Sequence, residues 1–412
     1  MKIAVVGSGI SGLAAARLLS RGHAVSLFEA APRLGGHANT VDVSLGGCSY
    51  PVDTGFLVYN RATYPGLVRL FEELGVASAP SEMSFSVALD SPAIEWAGTN
   101  LDTVFAQRSN LLRPAFLRML RDVLRFNREA PLAAGAATLG EFLAHGRYSS
   151  AFRDWYLLPM AAAIWSCPTR AMLEYPFASF ARFFRNHGLL QLANRPQWYT
   201  VRGGSRQYVE RIARGLADVR LATPVRALRR DRTQAWVNGE RFDAVVLACH
   251  SDQALALLGT DANPAERAVL SAIPYQKNRA LLHTDATLLP RNRRVWSAWN
   301  YTAGADTPQG RPVSVHYLIN RLQPLPFAQP VIVSLNPHRE PQEAQVLAEF
   351  DYEHPVFNAG VAAAQARLPE IQGVRGTWFC GAWTRYGFHE DGFASALEVA
   401  RALEAEPLRR AA

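Results

Sequence analysis

The chain of 412 residues has little of what metal-binding or disulfide-stapled proteins use. Its four cysteines, Cys48, Cys167, Cys249 and Cys380, are far apart and form no C-x-x-C pair. No two of the ten histidines stand at the i, i+4 spacing that would place them on one helical face. These patterns disfavour a zinc site or a disulfide framework and favour a reducing compartment. We therefore expect no metal.

Long apolar runs and lysine are also scarce. No run reaches the roughly 18 to 20 apolar residues of a membrane-spanning helix. The apolar amino-terminal stretch contains three glycines, which interrupt the helix that a secretory signal needs, so a cytoplasmic location is expected. Lys2 and Lys277 are the only lysines among 43 basic residues, against 35 acidic ones. The arginine excess favours a solvated basic surface, with an anionic membrane or ligand as the alternative, and no nucleic acid is expected.

The first thirty residues have the order strand, glycine turn, helix, strand. Ile3 to Val6 is a short apolar strand, and Gly7-Ser8-Gly9-Ile10-Ser11-Gly12 follows it, before a helical segment to about Arg21. In this pattern the glycines permit a tight turn, an approach of backbone N–H groups to a pyrophosphate, and close helix packing. The second strand, Ala24 to Phe28, ends at Glu29, whose carboxylate can accept hydrogen bonds from a ribose hydroxyl. The segment predicts a site for FAD or NAD and disfavours NADP.

A second glycine loop, Glu29-Ala30-Ala31-Pro32-Arg33-Leu34-Gly35-Gly36-His37, follows at once. Its glycines allow main chain to lie against a diphosphate, and Arg33 can neutralise phosphate charge. With Val52 to Phe56 and the carboxy-terminal Trp378 to Phe393, this loop resembles the FAD-dependent flavin-containing amine oxidases and their phytoene-desaturase-like relatives. The family pattern E-x-x-x-R-x-G-G-R ends here in His37 instead of arginine. The resemblance selects FAD as the cofactor.

The resemblance implies that distant stretches of the chain hold one FAD molecule. Gly392 and Phe393 are expected to present N–H groups from a helix start to the flavin, and the backbone of Val225 is expected to read adenine. Ala382 stands where the family usually has an acid, and Phe56 where it has a small residue. The implied cofactor contacts are Gly7, Gly9, Ser11, Gly12, Glu29, Ala30, Arg33, Gly35, Gly36, His37, Asp53, Thr54, Gly55, Phe56, Val225, Ala248, Gly381, Ala382, Gly392, Phe393 and Ser395.

The implied fold is α/β, a discontinuous Rossmann-type FAD/NAD(P)-binding domain of the glutathione-reductase kind with an inserted α+β substrate domain, as in amine oxidases. The FAD-binding parts are expected at residues 1–60, 200–262 and 372–412. The substrate parts are expected at residues 61–199 and 263–371. Substrate regions of such folds are grafted onto the cofactor scaffold, so function has to be argued from the site.

Lys277 is the candidate catalytic residue. It lies on the strand-like stretch Tyr275 to His283, and in the amine-oxidase branch a lysine at a comparable place holds a water against flavin N5. An ordinary surface lysine is the alternative. Aromatic residues also gather between Trp155 and Tyr199 and between Trp296 and Tyr301. Most of them are expected to pack in the core, and a minority to wall a pocket above the flavin.

The segment Arg113 to Arg128 predicts an amphipathic basic helix, with Phe116, Leu120, Val123 and Leu124 at helical spacing. Such a helix either covers a core or rests on anionic lipid, at the inner membrane face. The stretches Tyr275 to Asp285 and Trp296 to Tyr301 are similar to a bacterial branch related to the amino-terminal part of plant cyclopropane-fatty-acid synthases.

The combined hypothesis is an FAD-dependent oxidoreductase that takes a hydride at flavin N5 from a small, apolar, lipid-like substrate, fatty-acyl or isoprenoid, and introduces or shifts a double bond. Oxidation of an amine is the alternative within enzymes. A non-catalytic, flavin-bearing partner of a lipid-modifying enzyme is the alternative from another class. The sequence leaves the electron acceptor and the oligomeric state open.

Overall fold

The computed structural model describes residues 1–133, 135, 137–191, 195–231, 233–304 and 314–410, with side chains as far as residue 405. The strands in these ranges, numbered in chain order, are β1 (Lys2–Val6), β2 (Ala24–Phe28), β3 (Thr40–Leu45), β4 (Cys48–Asp53), β5 (Tyr59–Asn60), β6 (Ser78–Ser81), β7 (Phe85–Asp90), β8 (Ala93–Ala97), β9 (Trp198–Val201), β10 (Asp218–Arg220), β11 (Leu228–Arg230), β12 (Ala235–Val237), β13 (Glu240–Phe242), β14 (Ala244–Leu247), β15 (Tyr275–His283), β16 (Trp299–Ala303), β17 (Ser314–Leu318), β18 (Ile332–Leu335), β19 (Val346–Pro355) and β20 (Thr377–Phe379).

The α-helices of the same ranges are α1 (Ile10–Leu19), α2 (Pro65–Leu74), α3 (Leu101–Val104), α4 (Pro114–Glu129), α5 (Leu139–His145), α6 (Ser150–Phe152), α7 (Leu158–Trp165), α8 (Thr169–Leu173), α9 (Phe177–Asn186), α10 (Arg206–Ala213), α11 (Ser251–Leu258), α12 (Pro264–Leu270), α13 (Ile319–Leu322), α14 (Ala359–Ala366) and α15 (His389–Arg410). A π-helical turn, Arg153–Leu157, joins α6 to α7. None of these helices has both the length and the apolar character needed to cross a bilayer.

A five-stranded parallel sheet, in the order β10-β2-β1-β14-β20, forms the first layer. Strands β1 and β14 are almost entirely buried and apolar, as central strands of a parallel sheet covered on both faces must be. The strands come from three distant parts of the chain, residues 2–28, 218–247 and 377–379. This is the Rossmann-type scaffold expected from the sequence, and its crevice lies at the carboxyl ends of the strands.

A mixed seven-stranded sheet, in the order β19-β15-β18-β17-β16-β7-β8, forms the second large layer. Only β16 and β7 pair in parallel, and the other neighbours are antiparallel. Helices α4 to α9 cover one side with an aromatic core. Phe126 of α4, for example, packs on Phe152 and Phe180 with ring centroids 5.4 and 6.4 Å apart. The seven-stranded sheet and these helices form the inserted α+β part of the fold.

Local signals placed most elements correctly, and three boundaries differ. The sequence predicts a hairpin at Asn238-Gly239, and it forms, with both residues at positive φ between β12 and β13. The sequence also predicts a strand at Val225 to Leu228, but the strand begins only at Leu228, and Pro224 and Val225 border the cavity described below. The first helix ends at Leu19, and the last helix begins at His389, three residues before Gly392.

Candidate functional site

One large cavity, of about 920 Å³, lies between the carboxyl ends of the parallel sheet, one face of the seven-stranded sheet and helices α7 and α9. Val6, Phe28, Ala248 and Gly381 mark the ends of β1, β2, β14 and β20 along its wall. A crevice at this edge of a doubly wound sheet is where such folds bind nucleotides. The volume falls in the range of small-molecule and cofactor sites.

The first glycine turn is shaped by close backbone contacts. Gly7 has a φ of +100°, and a Cβ there would stand 2.9 Å from the carbonyl oxygen of Ala248. A Cβ on Gly12 would stand 1.8 Å from the carbonyl oxygen of Gly7, so only glycine lets α1 pack on the turn. Gly9 differs, because a Cβ there would meet no protein atom within 4 Å. The space before Gly9 is therefore open at the amino end of α1, where phosphate binds well.

The second glycine loop closes against the first. The amide of Gly35 donates to the carbonyl of Ser8 at 3.0 Å, and a Cβ on Gly36 would stand 3.2 Å from the Cα of Gly9. Arg33 is exposed, and its guanidinium donates to the carbonyl of Gly36 at 3.0 Å. Two backbone walls without side chains therefore face the same space, as a diphosphate requires.

Glu29 lies at the end of β2 and is held in one orientation. Its Oε2 accepts hydrogen bonds from the amide of Ser8 at 2.9 Å and from the Ser8 hydroxyl at 2.5 Å. Its Oε1 accepts from the amide of Ala31 at 2.8 Å. Oε1 therefore keeps a lone pair for a further donor, so a ribose hydroxyl at the cavity wall can be bound here.

Five histidines line the cavity in the described part of the chain, His37, His187, His250, His354 and His389. The His37 ring stacks on Tyr352 at 4.9 Å and lies 5.0 Å from the ring of His354. Burial, followed by the nearby histidines and Arg33, holds the pKa of His37 well below its usual value, so its ring is neutral. Its Nε2 is buried and has no hydrogen-bond partner among the residues that the structure describes. A neutral donor or acceptor therefore replaces the charged arginine of the family pattern, and it needs a partner from a bound group.

The carboxy-terminal segment reaches the cavity differently from the sequence expectation. Gly392 does not line it, and its amide is already paired, donating to the carbonyl of Phe388 at 3.1 Å inside the helix. A Cβ on Gly392 would stand 2.7 Å from the hydroxyl of Ser11, so this glycine lets α15 pack on α1. The first turn of α15 is residues 389–391, whose amides have no carbonyl partner one turn before them in the helix. His389 at that turn lines the cavity and stacks on Phe56 at 3.8 Å.

Asp53 also lies outside the cavity lining, contrary to the expected cofactor contact. Its buried carboxylate accepts hydrogen bonds from the backbone amide of Ser205 at 2.9 Å and from the hydroxyl of Thr40 at 2.6 Å. It also accepts one from the side-chain amide of Gln323 at 3.1 Å. Burial raises its pKa to about 6, and the hydrogen bonds oppose that shift. Asp53 therefore joins β4, the turn before α10 and α13.

Ser395 likewise acts behind the wall, accepting from the amide of Gly381 at 3.0 Å and donating to the carbonyl of Gly392 at 2.8 Å. The structure thus divides the expected contacts into two groups. The cavity wall contains Gly7, Gly9, Ser11, Glu29, Ala30, Gly36, His37, Thr54, Gly55, Phe56, Val225, Ala248, Gly381 and Ala382. Positions behind it are Gly12, Arg33, Gly35, Asp53, Gly392, Phe393 and Ser395.

Lys277 is exposed on β15 and is absent from the cavity lining. Its strand partner is Glu353, and its ammonium stays in contact with solvent. A hydrated lysine outside the cavity cannot hold a water against a cofactor inside it. The expected catalytic role of Lys277 therefore has no support in this geometry.

The part of the cavity away from the glycine turns is called here the apolar chamber. Sequence patterns missed most of its wall, because the residues come from distant segments. The wall consists chiefly of Met83, Phe85, Met160, Ile164, Trp165, Phe183, Leu189, Trp198, Trp299, Tyr317, Phe357 and Phe388. Only Trp165, Phe183, Trp198 and Trp299 come from the aromatic clusters noted in the sequence. Two arginines line the cavity in the described part of the chain. Arg226 follows Val225, and Arg195, an exposed residue, lies in sequence between the chamber residues Leu189 and Trp198.

These residues fit a dinucleotide cofactor. The open space at Gly9, the approach of Gly36, the oriented carboxylate of Glu29 and the unpaired Nε2 of His37 lie along one wall. Together they can take a diphosphate, a ribose and one further polar group. The chamber beyond them remains for a substrate.

Comparison with known proteins agrees with this geometry. The model of the flavin-containing amine oxidoreductases matches residues 10–318. AofH of Mycobacterium tuberculosis, provisionally named a flavin-containing monoamine oxidase, is 28% identical over 330 residues, which cover 75% of this chain but only 63% of AofH. Two solved structures share the fold. One, from Exiguobacterium sp. 255-15, is provisionally named a protoporphyrinogen oxidase and has a TM-score of 0.70, 19% identity and coverage of 98% and 99% of the two chains. The other, a fatty acid isomerase from P. acnes that produces CLA, has a TM-score of 0.67, 15% identity and coverage of 97% and 98%.

Proposed function

Because the chain belongs to the flavin-containing amine oxidoreductase family, we propose that its substrate is a long, apolar molecule with an anionic head, such as a fatty acid. Membership of the family makes the protein an FAD-dependent oxidoreductase. Bound FAD supplies a two-electron acceptor for a hydride from a C–H bond, which allows a double bond to be introduced or shifted. The proposed substrate class is based on the chemistry of the chamber wall.

The carrying observation is the combination of an apolar chamber with Arg195 in the cavity lining. An acyl chain that leaves water for this wall gains about 0.8 kcal/mol per buried CH₂ group. The Arg195 Nε donates to the carbonyl of Gln191 at 2.8 Å, and within the described ranges the terminal guanidinium nitrogens have no further partner. A planar guanidinium can bind a carboxylate with two parallel hydrogen bonds. The arrangement suits a carboxylate at the mouth and a hydrocarbon chain inside.

Two neutral imidazole rings form part of the cavity wall. Burial lowers the pKa of His354 to about 4 and that of His389 to about 3, so both rings are neutral near pH 7. His354 shares a hydrogen bond of 2.8 Å with the side-chain amide of Asn278, and His389 one of 3.0 Å with the hydroxyl of Tyr208. These bonds fix the rings along the wall. A low local dielectric then strengthens the few polar contacts that a bound substrate makes.

Amine oxidation is the second candidate, and the similarity to AofH favours it. The described lining holds only two carboxylates. Glu29 is bonded at the first glycine turn, and Glu353 lies 3.5 Å from His250. An ammonium in the chamber would meet Arg195 instead, a like charge that disfavours binding. The wall therefore suits an anionic lipid better than an amine.

The test is anaerobic mixing of the FAD-loaded protein with oleate, linoleate, putrescine or a monoamine, recorded by flavin absorbance and by mass spectrometry of the fatty acid. The proposal expects flavin bleaching or a shifted double bond with a fatty acid, and neither change with amines. Arg195→Gln should raise the fatty-acid KM about tenfold or more, as loss of a charge-assisted pair costs about 1.5 to 3 kcal/mol. Arg202→Gln, at an exposed site outside the lining, is the matched control.

Bleaching by amines alone would overturn this proposal in favour of amine oxidation. If Arg195→Gln leaves the fatty-acid KM unchanged, Arg195 does not bind an anionic head of the substrate, and that part of the proposal is wrong. A flavin that neither class of compound reduces, with no product formed, would contradict both candidates.

A further inference from the structure

Exposed leucines are concentrated in one short part of the chain. Among the described residues nine large apolar side chains are exposed, and six of them lie between residues 101 and 132. Leu112 is 87% exposed and Leu132 is 82% exposed. The remaining members of the group are Leu101, Leu111, Leu117 and Leu124. Apolar side chains grouped in this way mark an interaction surface more often than isolated ones do.

The centre of this group lies on helix α4, on the side that faces solvent. Its inner side is buried through Phe116, Met119, Val123 and Phe126. The outer side repeats leucine and arginine at i, i+4, i+7 and i+11, which is one stripe along a helix. This stripe, Leu117, Arg121, Leu124 and Arg128, is named here the leucine–arginine face. Its leucines are 45% and 56% exposed.

The charge of this face is positive and largely unneutralised. Arg118 and Arg128 make no ion pair among the described residues, and Arg121 lies 3.7 Å from a carboxylate oxygen of Asp122. Asp122 is itself buried beneath the helix. Arg121, Leu124, Arg125 and Arg128 also line a shallow groove on the surface. A groove lined by guanidinium groups is complementary in charge to a phosphate.

We propose that the leucine–arginine face docks on an anionic phospholipid bilayer. Pro114–Glu129, at 1.5 Å per residue, is about 24 Å long and can lie in the interface plane, with leucines in the acyl boundary and guanidinium groups on lipid phosphates. The core of a typical protein–protein interface is depleted in charged residues and enriched in aromatic ones. Here each leucine of the stripe is followed by an arginine, and the stripe contains no aromatic residue.

The position of the face also agrees with a lipid surface. Phe126 on the inner side of α4 packs on Phe180, and Phe180 packs on Trp165 with ring centroids 5.8 Å apart. Trp165 lines the apolar chamber. These ring contacts connect the inner side of α4, through α9, to the wall of the chamber. The docking proposal itself does not depend on what the chamber binds.

The experiment is flotation of the FAD-loaded protein with vesicles of phosphatidylcholine alone or with about three parts in ten of phosphatidylglycerol, at low and high ionic strength. Binding is expected to the anionic vesicles and to weaken with salt. Arg121→Gln with Arg128→Gln should reduce partitioning about 30-fold, the equivalent of about 1 kcal/mol per arginine. Leu117→Gln with Leu124→Gln should reduce it at least about tenfold.

The matched control is Leu347→Gln with Arg214→Gln, an exposed pair of the same residue types elsewhere on the surface. Circular dichroism and FAD absorption are measured for every variant to check that folding is retained. Equal losses in the control, equal binding to neutral vesicles, or no binding of the unchanged protein at low salt would each overturn the proposal. So would light scattering that shows a dimer abolished by the face variants without any vesicle binding.

Discussion

Gly36 rests directly on Gly9, since a Cβ on the first would stand only 3.2 Å from the Cα of the second. Both residues line the cavity, and together they form two bare backbone walls around the same space. The contact explains why two glycine motifs, separated in sequence, have to be read as one site.

Substitution at Gly9 should separate cofactor binding from folding. Gly9 has a φ of −62°, which alanine tolerates, and its Cβ would meet no protein atom within 4 Å. Gly9→Ala is therefore expected to fold, with stability within about 1 kcal/mol of the unchanged protein. Its methyl group would enter the phosphate space and weaken FAD binding at least about tenfold. Thermal unfolding of the apoprotein and titration with FAD measure the two effects.

Gly12→Ala serves as the contrasting variant. Its Cβ would stand 1.8 Å from the carbonyl oxygen of Gly7, so α1 would have to move away from the turn. We expect a loss of about 3 kcal/mol in the free energy of unfolding. Normal folding of Gly12→Ala, or normal FAD affinity of Gly9→Ala, would contradict this account of the turn.

Lys277→Met should leave flavin reduction and reoxidation rates unchanged within about twofold. The lysine is exposed on β15 and lies outside the cavity lining, so its charge is hydrated in both redox states. Stopped-flow absorbance with a reducing substrate and then with oxygen measures both rates. A large decrease in either rate, with unchanged folding, would show that Lys277 takes part in the reaction.

Acid is expected to destabilise the protein from about pH 6.5 downward. Burial lowers the pKa of His187, His283 and His354 to about 4 and that of His389 to about 3. A histidine with a depressed pKa binds fewer protons when folded, so its stabilising effect is full above pH 6.5 and is lost toward the folded pKa. Asp53 and Asp391, whose pKa burial raises to about 6, act with the opposite sign between about pH 4 and 6 but are fewer.

Urea unfolding at several pH values and a fixed FAD concentration checks this expectation. His389→Gln should flatten the dependence by up to about 1.4 kcal/mol per pH unit, the effect of one proton. His145→Gln, at an exposed histidine, is the control variant. A stability that is level between pH 7 and 5 would count against the buried neutral rings.

Glu390 is expected to contribute to stability more than an ordinary surface acid. Its carboxylate accepts from the amides of Gly66 and Leu67 at 2.7 and 2.9 Å, which joins the start of α2 to α15. Glu390→Ala should cost about 1 to 3 kcal/mol, because two helix-start amides lose their acceptor. Glu398→Ala removes an exposed ion pair with Arg385 and should cost less than about 1 kcal/mol. Equal effects in denaturant unfolding would refute the capping role.

The glycine motifs could be predicted from sequence because their chemistry is local. Gly7 and Gly12 serve a strand, a turn and a helix that are contiguous in the chain. Gly392 could not be placed, because the start of α15 at His389 depends on contacts with α1 and α2. Lys277 shows the same limit, since a strand pattern does not say which side chains a cavity reaches. Arg195 and the chamber wall come from many segments, and only the assembled fold brings them together.

The parallel sheet also bears on how the protein is made. Its outer strand β20 pairs with β14, which pairs in turn with β1 at the amino terminus. At about 5 to 20 residues per second, a ribosome needs tens of seconds between the first and the last of these strands. Until then β14 presents a bare hydrogen-bonding edge that other chains can occupy. A nascent chain that has not yet reached β20 should therefore depend on chaperones. A chain truncated before residue 377 should aggregate.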